Sequence, residues 1–175
     1  MMGGKAWSMR VAGVVNAPAE RAVAWWLHPD RVNEAERRIT GGAADFTISE
    51  TTTDGLRVRL VSFRDRKGWD HHHRIERHLA SDGTASRTGD RFTVPMREVN
   101  EMHSPDGQRV TLRCMGQLEF APRPDGSTEV HIEHDHTLEG GNWAIRRAIR
   151  RSDSGGQDRL MKDVVSDCIA ALVTD

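Results

Sequence analysis

The sequence predicts an α+β fold in which helices flank a seven-stranded antiparallel sheet. Three observations lead there. Apolar spacing is helical near both ends of the chain but alternates with period two between them. Turn signals, several of them Asp-Gly pairs, cut that middle stretch at hairpin distances. Near the C-terminus Leu160, Met161, Val164, Val165, Cys168, Ile169, Leu172 and Val173 form a long amphipathic stripe, which is expected to be the main core helix.

The elements follow in order. A first strand is expected near Trp7–Val15, closed by Asn16-Ala17-Pro18, where the proline ends the strand and opens a helix at its first turn. Ala22, Val23, Trp26 and Leu27 give the stripe of a helix over 19–27, and Pro29 starts a second short helix running to about Ile39. Gly41-Gly42 ends it. Strands are then predicted near Asp45–Thr52, Leu56–Asp65, Trp69–Leu79, Arg91–His103, Arg109–Phe120 and Thr128–Leu138. The turns between them are centred on Gly55, Gly68, Gly83, Gly107 and Gly126, where glycine supplies the positive φ of a tight turn. After Gly140-Gly141, Asn142 is placed to cap a helix holding Trp143, Ile145, Ala148 and Ile149.

The 175 residues suit one domain, 1–175, with a core that needs no disulfide staples. Twenty-five basic and 26 acidic side chains leave a net charge of -1, which argues against nucleic acid or an anionic membrane as the main partner. No apolar run is long enough to span a bilayer, so no integral membrane association is expected. Met1–Arg10 lacks the apolar core of a secretory signal, and two cysteines suit a reducing compartment, so the expected location is cytoplasmic.

The segment Val14-Val15-Asn16-Ala17-Pro18-Ala19-Glu20-Arg21-Ala22-Val23 is similar to the strand-Ala-Pro-x-Glu-x-Val opening of the START and birch-pollen-allergen superfamily. With the element order, from about Met9 to Val173, the chain resembles the polyketide cyclase/dehydrase branch of that superfamily. The resemblance implies a helix-grip fold: a curved seven-stranded antiparallel sheet wrapped around the long C-terminal helix, with two short helices after the first strand. It implies an internal cavity for a hydrophobic or aromatic small molecule. The fold serves cyclases, carriers and other binders, so it does not by itself choose a function.

Nine histidines are the most unusual feature of the composition, and period two sorts them into faces. Val130, Ile132 and Leu138 mark one face of the last strand as inward, and His134 and His136 share it. By the same rule Trp69, His71, His73, Ile75 and Arg77 face inward, with His72, His78 and His131 outward among surface charges. Phe92, Val94, Met96, Glu98, Asn100 and Met102 make the inward set of the next strand, unless a bulge near Pro95 shifts it. Cys114 and Gly116 lie on the inward face of the strand after that, Cys114 with no basic partner to activate it. Ser62 is a further candidate for the cavity wall.

Three readings of the inward His71, His73, His134, His136, Glu98 and Asn100 stay open. They could form a hydrated cavity wall, an acid–base site or a metal site; the last is ranked lowest because the two His-x-His pairs sit on separated strands. No metal is expected on strands so far apart, and the resemblance implies a cyclase/aromatase-like activity without an organic cofactor. In it His71, His73, His134 and His136, oriented by Glu98, would move protons, and Asn100 or a second His would bind the enolate oxygen. Trp25, Trp69, Asn100, Met96, Cys114 and Ser62 would touch the ligand, with Trp25 at the cavity mouth and Trp26 in the core. The alternative is a non-catalytic carrier that sequesters a lipid or hydrophobic metabolite. A homodimer is compatible with either.

Overall fold

A computed structural model describes residues 6–28 and 44–151. They form an antiparallel sheet of eight strands: β1 (Trp7–Val15), β2 (Ala44–Thr53), β3 (Leu56–Arg64), β4 (Asp70–His78), β5 (Ser86–Thr88), β6 (Arg91–His103), β7 (Arg109–Pro122) and β8 (Thr128–Gly140). The helix α1 (Ala19–Leu27) follows β1, and a helix over 143–151, α2, follows β8. Strand order is β1-β8-β7-β6-β4-β3-β2, so among the described residues β1 and β2 are the two edges. Sequence predicts seven strands; the eighth, β5, pairs with the start of β6 through Ser86–Thr88 and carries no apolar residue to announce it. The predicted helix from Pro29 to Ile39 and the stripe from Leu160 to Val173 lie outside the described residues.

Local chemistry explains the main joints. Asp54 and Gly55 both take positive φ, 49° and 76°, the twist a two-residue hairpin loop needs between β2 and β3. Pro95 causes no bulge: register runs unbroken through Pro95↔Gln117. It falls where β6 exchanges one neighbour for another, between the pair Arg77↔Met96 with β4 and the pair Ser86↔Thr93 with β5. A residue without an N–H costs least at such a gap. Asn142 caps α2, its Oδ1 accepting from Ile145 N at 3.0 Å.

Two apolar clusters occupy the inward face. One gathers Val15, Ala22, Val23, Trp25, Val94, Leu118, Phe120, Val130 and Ile132, and it seats α1 on β6 and β7. The other gathers Met102, Val110, Leu112, Cys114 and Leu138, with Trp7, Trp69, Ile145 and Ile149 packed against it. Along β6, β7 and β8 alike, the clusters sit at opposite ends of the strand. Between them lie Glu98 and Asn100 on β6, Gly116 on β7, and His134 and His136 on β8.

Candidate functional site

Alternation in β8 buries Val130, Ile132, His134, His136 and Leu138, while Asp135 is exposed. The same alternation turns His71, His73, Ile75 and Arg77 inward on β4, and leaves His72, Arg74 and His78 exposed. Register then fixes neighbours. One row across the inward face reads Trp7, His136, Cys114, Glu98, Ile75, Arg59, Glu50. Its His136, Glu98, Arg59 and Glu50 belong to a belt of polar side chains that runs between and beside the apolar clusters.

Two groups divide the belt. On β4 and β6, His73 Nδ1 lies 2.7 Å from Glu98 Oε1. His71 Nε2 lies 3.3 Å from Asp65 Oδ2, and its Nδ1 lies 3.4 Å from Asn100 Nδ2. Phe63 stacks on His71 with ring centres 4.5 Å apart and planes within 7°, which holds that ring flat against β3. On β7 and β8, His136 is fully buried between Trp7 and Cys114, its Nδ1 3.5 Å from Cys114 Sγ. His134 Nε2 sits 3.2 Å from Met96 Sδ. Strands β6 and β7 separate His73 from His134, about 14 Å along the sheet at ordinary strand spacing. Glu98 stands between the groups.

The electrostatics follow from this placement. Burial pushes the Glu98 carboxyl up. The His73 hydrogen bond and the nearby His73, His134 and His136 rings outweigh it, so its pKa lies below the usual carboxylate value. Burial lowers the His71 pKa, against the opposing pull of its Asp65 hydrogen bond. His71 is therefore held neutral. Among the described residues no cluster of three or more His, Cys, Asp or Glu has the arrangement of a metal site.

Several placements differ from the sequence reading. Ser62 faces outward, its Oγ 3.0 Å from His72 Nδ1, because Val61 and Phe63 take the inward phase of β3. Trp25 is the more buried of the two adjacent tryptophans at 6% exposure, and Trp26, partly buried, packs edge-on against Phe120. Cys114 does have a basic neighbour, the buried His136. Asn100 turns its amide nitrogen toward His71. Met96 and Trp69 are half-buried on the inward face, Trp69 against the second cluster.

Sequence reasoning also missed three charged residues of the inward face. Arg59 is 1% exposed and bonds Glu50 through Nε at 3.0 Å, while Arg57 Nη1 donates to Leu27 O at 2.6 Å. That bond satisfies a carbonyl left open at the C-terminal end of α1 and ties the helix to β3. On the outward face a groove of 370 Å³ lies between β1, β6, β7 and β8. Its charges close on each other in the pairs Arg10–Glu133 at 2.5 Å and Arg91–Glu119 at 2.7 Å.

No family model matches the sequence, and no curated protein does. Solved structures match the fold over nearly its full length. A Rhizobium leguminosarum protein superposes with a TM-score of 0.62 at 12% identity, covering 98% of this chain and 97% of that one. The Zhui aromatase/cyclase of a Streptomyces species gives 0.60 at 13% identity, covering 95% and 93%. Norcoclaurine synthase of Thalictrum flavum gives 0.56 at 11% identity, covering 98% of both chains. At such identities the likeness concerns the fold alone. The chain has a helix-grip-like fold, the architecture of these solved structures. No helix among the described residues is long and apolar enough to cross a membrane.

Proposed function

We propose that this protein binds a hydrophobic or aromatic small molecule against the inward face of its sheet and promotes cyclisation or dehydration of that molecule. The observation that carries the reading is the His73–Glu98 pair. A carboxylate only accepts, so at 2.7 Å the proton between them belongs to His73 Nδ1, and the lone pair of the neutral ring lies on Nε2. That Nε2 is buried and has no hydrogen-bond partner, the arrangement of a base awaiting a proton.

The chemistry is an intramolecular aldol closure. His73 Nε2 takes the proton from a carbon flanked by carbonyls, and Glu98 stabilises the imidazolium that forms. The resulting enolate carbon attacks a second carbonyl of the same chain, forming the ring C–C bond, and the new alkoxide takes a proton back. Loss of water then gives the unsaturated ring. Apolar clusters on both sides of the belt favour a folded chain with its reacting atoms together. Likeness to an aromatase/cyclase fold supports the same reading.

Turnover of a linear poly-β-ketone, followed by product absorbance, tests it. His73→Asn should lower the rate by about 10²–10⁴ while substrate binding is retained. Unchanged turnover in that variant would sink the acid–base role of His73. Binding without turnover in the parent protein would make this a carrier instead.

A further inference from the structure

A buried amide stands directly across the sheet from His73. Asn100 is 5% exposed and is the register partner of His73 in the β4–β6 ladder. Its orientation is set by a chain of hydrogen bonds. Asp65 Oδ2 accepts, so His71 Nε2 must carry a proton and donate it. The neutral His71 ring then offers Nδ1 as an acceptor, and only the Asn100 amide nitrogen can supply that proton. A flipped amide would set two acceptors against each other. The low His71 pKa favours the neutral ring on which this order depends.

Asn100 Oδ1 is therefore turned away from His71, and it is buried without a hydrogen-bond partner. His73 Nε2 shares that condition. Buried polar atoms are rarely left so, and one such atom is costly. Here two occur on directly opposed residues, and both are acceptors. Aromatic rings border them: Phe63 lies 5.6 Å from His73 between ring centres, and Phe46 lies 6.1 Å from Phe63.

We propose that His73 Nε2 and Asn100 Oδ1 together recognise a hydroxyl-bearing aromatic or enolic ligand, each accepting one O–H. The proposal rests on the reading of the inward face as the ligand site and adds the chemical class it selects. Two acceptors with no donor between them reject a ketone, an ether or a carboxylate, which bring only acceptors of their own. A poly-β-ketone substrate would be held through the enol hydroxyl of one carbonyl pair on Asn100, which leaves His73 Nε2 to take the proton from the next carbon flanked by carbonyls. Asn100 is then an acceptor for the substrate and not the donor to an enolate oxygen. Asp65 and His71 are positioning residues, acting through the amide.

The test compares resorcinol with 1,3-dimethoxybenzene, which has the same ring and no O–H. Both are titrated into the full chain near pH 8 and followed by amide chemical shifts. Resorcinol should bind about tenfold more tightly, as expected for hydrogen bonds that the ether cannot make. The preference should vanish in Asn100→Leu and weaken in His71→Phe, which keeps the stack on Phe63 but frees the amide. In the unmodified protein the His73 Nε2 nitrogen signal should move with resorcinol alone, a readout that needs no variant. Equal affinity for the two compounds would overturn the acceptor pair and leave the ligand-site reading standing. Failure of both to bind would overturn the two together.

Discussion

His134 lies against a strand position that has no side chain. Gly116 is its register partner on β7, and a Cβ built there would fall 2.6 Å from His134 Cδ2 and would also collide with Glu133 O. The glycine is thus the reason a large ring fits flat at that point of the inward face.

Gly116→Ala should therefore destabilise the protein by roughly 1–3 kcal/mol, since backbone cannot yield as a flexible side chain does. A thermal melt checks it. A midpoint within about 1 °C of the parent would mean the two strands are not so close.

Glu50 and Arg59 make a second test. Arg59 is buried, and Glu50 also lies 3.7 Å from Arg57. Glu50→Ala strips a carboxylate from beside a buried guanidinium and should cost about 3 kcal/mol in urea unfolding. Glu119→Ala, which opens the exposed pair with Arg91, should cost less than about 1 kcal/mol. Equal losses would show that burial of Arg59 does not matter.

Acid should weaken the fold in two stages. The His71 pKa is lowered below 6.5 in the folded protein, so the unfolded chain takes up that proton first. Stability from the neutral ring is complete above 6.5 and declines as pH falls below it toward the folded value. Glu98 is also lowered, from 4.5, so its contribution is present above that pH and is lost as pH falls through its folded value. Urea midpoints across this range should show both stages, and His71→Phe should abolish only the upper one. A flat profile between about pH 8 and pH 5 would contradict the first.

The two faces of one strand should respond differently. His136→Asn replaces a fully buried ring packed on Trp7 and should lower the melting temperature by several degrees. His131→Asn changes a partly exposed side chain paired with Glu129 and should shift stability by no more than about 0.5 kcal/mol.

How much of this was legible in the sequence depends on the strand. In β8 the apolar residues lie on one face only, so Val130, Ile132 and Leu138 name the inward side and the histidines follow. In β3 both faces are apolar: Leu60 is 46% exposed while Arg59, beside it, is buried. Period two separates those faces but gives no reason to bury the arginine. The reason lies far off in sequence, in Glu50, and for Arg57 in the open carbonyl of Leu27. The adjacent tryptophans fail for a related cause. Helical spacing favours Trp26, but the surface that α1 meets is wide enough to bury Trp25 and half-cover its neighbour. Asn100 could be placed on the inward face by alternation, yet the direction of its amide needed His71 and Asp65 in three dimensions.

The pairing of β1 with β8 has a consequence for how the chain comes into being. Strands β2 to β4 and β6 to β8 lie beside neighbours close in sequence and can zip up as hairpins. Trp7, however, meets His136. On a ribosome the first strand leaves the tunnel long before β8, its partner among the described residues, exists, a wait of about 6–25 s at ordinary elongation rates. Through that interval Trp7, Val11 and Val15 have no sheet to join, and their segment is the natural client of a holdase chaperone. Closure of β1 onto β8 can come only after β8 has been made, and a circular permutant that begins at β2 and ends in β1 would bring the two strands together in sequence.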